Sequence, residues 1–228
     1  MTLPNPLSAV ILDMDGTLHD TEGIYHQALQ EAVRAVGFTV TDAFCYSLIG
    51  IPGPETDAIL IAHLGPDFSI AEFDRHYEQH RDNALAAGVP LKPGALELLD
   101  MLARCNLRVA VATSASRRTA ELHLGRSGLR AHLPIVVTRD DVARGKPHPD
   151  VYLRAAELLA VPAQNCLAVE DSFNGIRAAH AAGMMPVMVP DLLTPTQDIH
   201  AMCVCVAPDL HQVRLLVAEH VATAPCRE

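Results

Sequence analysis

Four short stretches carry the residue types that can do chemistry together. They are Asp13-Met14-Asp15-Gly16-Thr17, Thr113-Ser114-Ala115-Ser116-Arg117-Arg118, Arg144-Gly145-Lys146-Pro147 and Glu170-Asp171-Ser172. In the first, two carboxylates two residues apart follow an apolar run and converge whether the strand continues or already turns. Carboxylates this close repel, so a hard divalent cation such as Mg2+ is their natural companion. One of them can then attack while the other handles a proton. The second stretch opens a helix with hydroxyls and free N–H groups, which makes an anion site as well as an ordinary serine cap. In the third, Lys146 sits in a loop that cannot become helix, where it either approaches a site or lies on the surface. The fourth sets Glu170 and Asp171 at a strand end, with Asp171 or Ser172 able to cap the next helix. Together they describe a cradle for a metal-bound phosphate, with acids for the cation, amides and hydroxyls for the oxygens, and a lysine to spread the charge.

The elements that must position these groups are legible around them. Apolar runs at 9–12, 108–113, 135–137, 167–169 and 186–189 alternate with helical patterns at 95–105, 116–127, 150–159 and 173–182. A strand at 203–206 and a helix at 210–222 complete the series. This rhythm predicts an α/β fold with a doubly wound parallel sheet, and such sheets bind ligands beyond the carboxyl ends of their strands. Between Leu18 and Pro90 only helices are expected, one ending at Gly37, one from Pro54-Glu55 to Leu64 and one over 70–87. About seventy residues exceed an ordinary crossover, so they read as an inserted helical module over 20–89, with 1–19 and 90–228 forming the core.

Composition narrows the function. A formal charge of −10, from 27 acidic and 17 basic residues, argues against nucleic-acid binding. No apolar run approaches a membrane span of about 18 residues and no signal-peptide pattern opens the chain, so a cytoplasmic, soluble protein is expected. The acidic charge permits a monomer or a weak homodimer. Six scattered cysteines without a CxxC pair read as reduced thiols, and Cys203 and Cys205 should share one face of a strand as packing residues. The twelve histidines lack metalloprotease spacing, and most are expected at the surface or at caps.

With Asp13-Met14-Asp15-Gly16-Thr17, Ser114, Lys146 and Glu170-Asp171 in order, the sequence resembles the haloacid dehalogenase superfamily over nearly its whole length. The likeness is to the branch that holds β-phosphoglucomutase and small sugar-phosphate phosphatases. It implies a Rossmann-like core with an α-helical cap, and a Mg2+-dependent phosphatase acting on a small sugar or polyol phosphate through an aspartyl-phosphate. By the same resemblance Asp13 is the nucleophile and Asp15 the acid and base. Ser114, Ala115, Arg117 and Lys146 hold the phosphoryl group. Mg2+ is bound by the Asp13 side chain, the Asp15 backbone carbonyl and Asp171, with Glu170 a ligand or a partner behind the ligands. Hinges are expected near 18–21 and 89–93.

Two related chemistries fit poorly. Dehalogenases lack an acid matching Asp15, and phosphonatases use a cap lysine, whereas residues 20–89 contain no lysine. A mutase reading stays open: the mutase pattern places an arginine near Gly53 that is missing here, though Arg81 or Arg75 could replace it. His26, Glu55 and Arg81 are candidate cap contacts to the substrate, set against solvated helix positions. A non-catalytic sugar-phosphate-binding module is a further alternative, and the Asp13–Asp15 pair argues against it, since a sensor needs no nucleophile.

Overall fold

The computed structural model describes residue 3, residues 6–51 and residues 53–223. Its centre is a six-stranded, wholly parallel sheet in the order β3-β2-β1-β4-β5-β6. The strands are β1 (Ala9–Leu12), β2 (Arg108–Ala112), β3 (Ile135–Val137), β4 (Cys166–Glu170), β5 (Met185–Met188) and β6 (Cys205–Val206). Strand order reverses between β1 and β4, which pair in register from Ala9↔Cys166 to Leu12↔Val169. Asp13 and Asp171 therefore leave neighbouring strands at the switch point, where this architecture opens a crevice.

Alternation along the strands builds two cores. Val10, Leu12, Val109, Val111, Leu167 and Val169 point to one face. There they pack on α5 (Ala95–Arg104), α6 (Arg117–Arg126) and α10 (Leu210–Thr223). Ala9, Ile11, Ala110, Ala112 and Ala168 point to the other face and meet α7 (Asp150–Leu159) and α8 (Phe173–Ala181). Four of those five strand residues are alanines, which let α7 come close to the sheet.

The segment after β1 is helical, with α1 (Glu22–Ala35), α2 (Asp42–Ser47), α3 (Gly53–Leu64) and α4 (Ile70–Ala84). These helices bury their own cluster around Leu29, Val33, Leu48, Leu60, Phe68 and Phe73. Its two connections to the sheet pair with each other: Asp20 N–H donates to Pro90 O (2.9 Å), Lys92 N–H donates to Leu18 O (3.0 Å), and His19 bridges antiparallel to Leu91.

Three local expectations change. The short helix α2, capped by Thr41, and α9 (Gln197–Met202) were not anticipated, being single turns and a half with weak periodicity. Helix α4 stops at Ala84 rather than at 87. The edge strand is only Cys205–Val206, because Cys203 ends α9; Cys203 packs beside Ile176, Met188 and Ile199, and Cys205 packs on the opposite core. The two thiols thus do not share a strand face. The five described cysteines are free, and Cys226 lies outside the described residues. Among the described residues no helix is long and apolar enough to cross a membrane.

Candidate active site

Asp13 follows directly on β1 and its N–H donates to Val169 O at 2.9 Å, so the sheet ladder itself fixes the backbone beneath the carboxylate. Lys146, 3% exposed, reaches Asp13 Oδ1 and Glu170 Oε1, each at 2.5 Å. Glu170 is fully buried. Its Oε1 also accepts from Tyr152 OH (2.8 Å), and its Oε2 accepts from the N–H groups of Asp171 and Ser172 and from Ser172 Oγ, at 3.0–3.2 Å. Glu170 lies close enough to Asp13 and Asp171 to share a cation with them. Five donors already engage its two oxygens, Lys146 among them, so it anchors that ammonium. Gly175 makes room for this carboxylate, since a Cβ there would lie 1.8 Å from Glu170 Oε1.

Asp171 is 3% exposed and accepts from Thr17 Oγ1 at 3.2 Å. Gly16, at φ +79°, passes so near that a Cβ would stand 2.3 Å from Asp171 Oδ2. Burial, then the charges of Glu170 and Asp15, push Asp13 up to about 8 against the opposing pull of Lys146. Burial and the surrounding carboxylates likewise raise Glu22 to about 8 and lift Asp171 well above the carboxylate range. Burial opposes the charge of Lys146, but Asp13 and Glu170 outweigh it and raise its pKa. Carboxylates crowded around one buried ammonium are what a divalent cation would relieve, and the all-oxygen donor set suits a hard ion of the Mg2+ type.

Asp15 belongs to a different set of contacts. Its Oδ1 accepts from Thr21 Oγ1 and Tyr25 OH, both at 2.8 Å, and lies 3.8 Å from His123 Nδ1. Burial favours its neutral form, but the hydrogen bond and charge of His123 and the hydrogen bond from Thr21 prevail and hold it below its usual value. Thr21 stands at the N-cap of α1 but caps nothing with its side chain, because its hydroxyl donates to Asp15. His19 and His123 are both buried here, 0% and 1% exposed, unlike the other ten histidines. Burial lowers His19 to about 4, which keeps it neutral.

The anion stretch divides its labour. Ser116 caps α6, accepting from Thr119 N–H at 3.2 Å, while Ser114 Oγ is buried without a hydrogen-bond partner. The N–H of Ala115 is engaged by Thr113 Oγ1 (3.0 Å), so it is less free than the sequence implied. Arg117 departs from its expected role. Its side chain pairs with Asp141 and Glu121, and its neighbour Arg118 lines the cavity in its place.

That cavity, about 550 Å³, lies between the sheet edge and the helical insertion, with Asp13, Asp15, Ser114, Lys146 and Asp171 on its core side. Among the proposed cap contacts, Arg81 and His26 line it, His26 stacked on Tyr46 at 5.0 Å. Exposed Glu55 does not; it borders a separate recess beside residues 143–148. Residues the sequence did not flag include Tyr25, His123, Tyr152, Gly175 and Arg139. Tyr152 lies on the buried apolar face of α7, where only the glycine in the first turn of α8 signals a close approach.

A floor of carboxylates gathered around one lysine, beside a bare hydroxyl, suits an anion bound together with a cation. On a doubly wound sheet it defines an enzyme of phosphate-ester chemistry. Residues 10–189 match the model of the haloacid dehalogenase-like hydrolases, and the chain belongs to that family. It is 34% identical over 205 residues to protein CbbY of Rhodobacter capsulatus, covering 86% of this chain and 90% of the relative. It is 32% identical over 178 residues to a phosphorylated carbohydrates phosphatase of Thermotoga maritima, covering 78% and 82%. Its fold follows the crystal structure of CbbY from Rhodobacter sphaeroides in complex with phosphate, with a TM-score of 0.77 and 29% identity over 91% of this chain and 96% of that one.

Proposed function

We propose that this hydrolase is a Mg2+-dependent phosphatase of a small sugar or polyol phosphate, working through an aspartyl-phosphate on Asp13. The observation that carries the reading is the unpartnered Ser114 hydroxyl on the same cavity wall as Asp13, Lys146 and Asp171. The kinship with a phosphatase of phosphorylated carbohydrates supports the substrate class. In the first step an Asp13 carboxylate oxygen bonds to phosphorus and the ester oxygen departs, taking a proton from Asp15. In the second, Asp15 takes a proton from water as the water oxygen bonds to phosphorus and frees Asp13. Ser114 donates to a phosphoryl oxygen, and Lys146, aligned by Glu170, offsets the charge on Asp13 and the phosphoryl group. Asp13 and Asp171 would hold Mg2+, which supplies further charge neutralisation to the phosphoryl oxygens. Helices α1 to α4 cover the reaction and exclude water, with the paired linkers as hinges, and we assign residues 20–89 to this cap.

The mutase reading keeps one specific support. Gly53 stands where an arginine was missed, yet Arg139 Nη1 from the core would lie 3.1 Å from a Cβ at that glycine, so a guanidinium does reach this loop. With Arg81 and Arg118 on the same cavity, a second phosphate has basic partners. Phosphate release across sugar, polyol and nucleoside monophosphates, with β-glucose 1-phosphate followed for conversion to glucose 6-phosphate, separates the two. Rapid release from one substrate class supports the phosphatase; isomerisation without release, activated by a bisphosphate, would overturn it.

A further inference from the structure

We propose that Asp15, His19 and His123 form a second cation site, for a borderline transition metal of the Zn2+ type. A carboxylate oxygen of Asp15 and one ring nitrogen from each histidine lie within 4.8 Å of one another. The far nitrogen of His19, Nε2, pairs with Ser127 Oγ at 2.9 Å. Its near nitrogen, Nδ1, is buried and without a hydrogen-bond partner. An imidazole whose far nitrogen is fixed by a hydrogen bond while the near one has no partner is arranged as metal-binding histidines are.

The remaining ligands fit a small tetrahedral ion. Bonds of about 2.0–2.1 Å set tetrahedral ligands about 3.3 Å apart. Asp15 Oδ1 and His123 Nδ1 are 3.8 Å apart, and the Tyr25 oxygen lies 2.8 Å and 3.2 Å from them, near that spacing from two of the three ligands. Two imidazoles and one carboxylate favour Zn2+ over Mg2+, whereas the carboxylates of Asp13 and Asp171 favour the reverse. Asp15 and His123 both line the cavity, which gives the ion a path. Once bound, it occupies the carboxylate of Asp15, so Zn2+ should halt turnover while Mg2+ stays in place. That consequence rests on the acid and base role proposed for Asp15; the binding does not.

The test is Zn2+ binding to the whole protein held in excess Mg2+, with wild type, His123→Gln and Asp171→Asn compared. One Zn2+ per wild-type chain is expected, weakened at least tenfold by His123→Gln and retained in Asp171→Asn. No Zn2+ bound, equal binding in His123→Gln, or loss in Asp171→Asn would overturn the proposal. Should His123→Gln fail to fold, Co2+ in the wild-type protein decides. Intense four-coordinate ligand-field bands support the nitrogen-containing site, and only weak six-coordinate bands overturn it. Failure of the phosphatase reading would appear separately, as absence of phosphate release from metal-free and Mg2+-loaded protein alike.

Discussion

At Lys146 a buried ammonium stands between Asp13 and Glu170, and its removal would leave two buried carboxylates facing each other uncompensated. Breaking a buried pair by deleting one partner costs about 3–5 kcal/mol, so Lys146→Met should lower the melting temperature as well as abolish turnover. Asp13→Asn separates those effects. The amide keeps the shape and can still accept from Lys146 but cannot attack phosphorus, so phosphate release should fall by at least about a thousandfold with the melting curve nearly unchanged. Retained turnover in that variant would sink the mechanism. Gly175→Ala tests the packing behind the lysine. In most helices this exchange stabilises by about 1 kcal/mol, but here the new Cβ meets Glu170, so a loss of about 2 kcal/mol or more is expected on thermal unfolding. The acids and Lys146 were legible because each follows a strand in sequence. Tyr152 and His123 were not, because a polar tip on an apolar helix face looks like core until the opposing element is known.

Helix α1 contributes to the site from across the cavity, with Tyr25 OH reaching Asp15 at 2.8 Å and His123 at 3.2 Å, and so ties the helical insertion to the core. Hydrogen bonds to charged groups contribute about 1.5–3 kcal/mol. Tyr25→Phe should therefore lower kcat about ten- to a hundredfold in steady-state kinetics while KM changes little, since Asp15 loses its alignment and the phosphoryl contacts remain. A rise in KM at constant kcat would instead assign Tyr25 to substrate binding. The element pattern from β2 to α8 could be read from hydrophobic period, because each strand is buried on both faces and each helix on one. Short elements escaped that reading. α2 and α9 are six residues each, too brief for a period, and the pairing of the two linkers near His19 and Leu91 depends on residues about seventy positions apart that no local signal connects.

Over the whole molecule the formal charge is −10, and a disproportionate part of it converges on one crevice, where Asp13, Asp15, Glu22, Glu170 and Asp171 lie within electrostatic reach of one another. The fold holds this arrangement by topology. β1 and β4 lie side by side at the reversal of strand order and deliver their acids to the same edge, and α1 brings Glu22 over it. Native structure therefore carries electrostatic strain that the unfolded chain, with its acids dispersed, does not, and a bound divalent cation should stabilise the native state alone. At a free concentration one hundred times its dissociation constant, such a ligand adds about 2.7 kcal/mol. For a chain of this size that corresponds to about 5–10 °C in melting temperature. Mg2+ titrated into metal-free protein should produce that upward shift in calorimetry, and EDTA should reverse it. Asp171→Asn should raise the starting melting temperature by removing a crowded charge while abolishing the response to Mg2+. If the variant still gained stability from Mg2+ as the wild type does, the cation would be binding elsewhere, and the crevice's excess of negative charge would need another explanation.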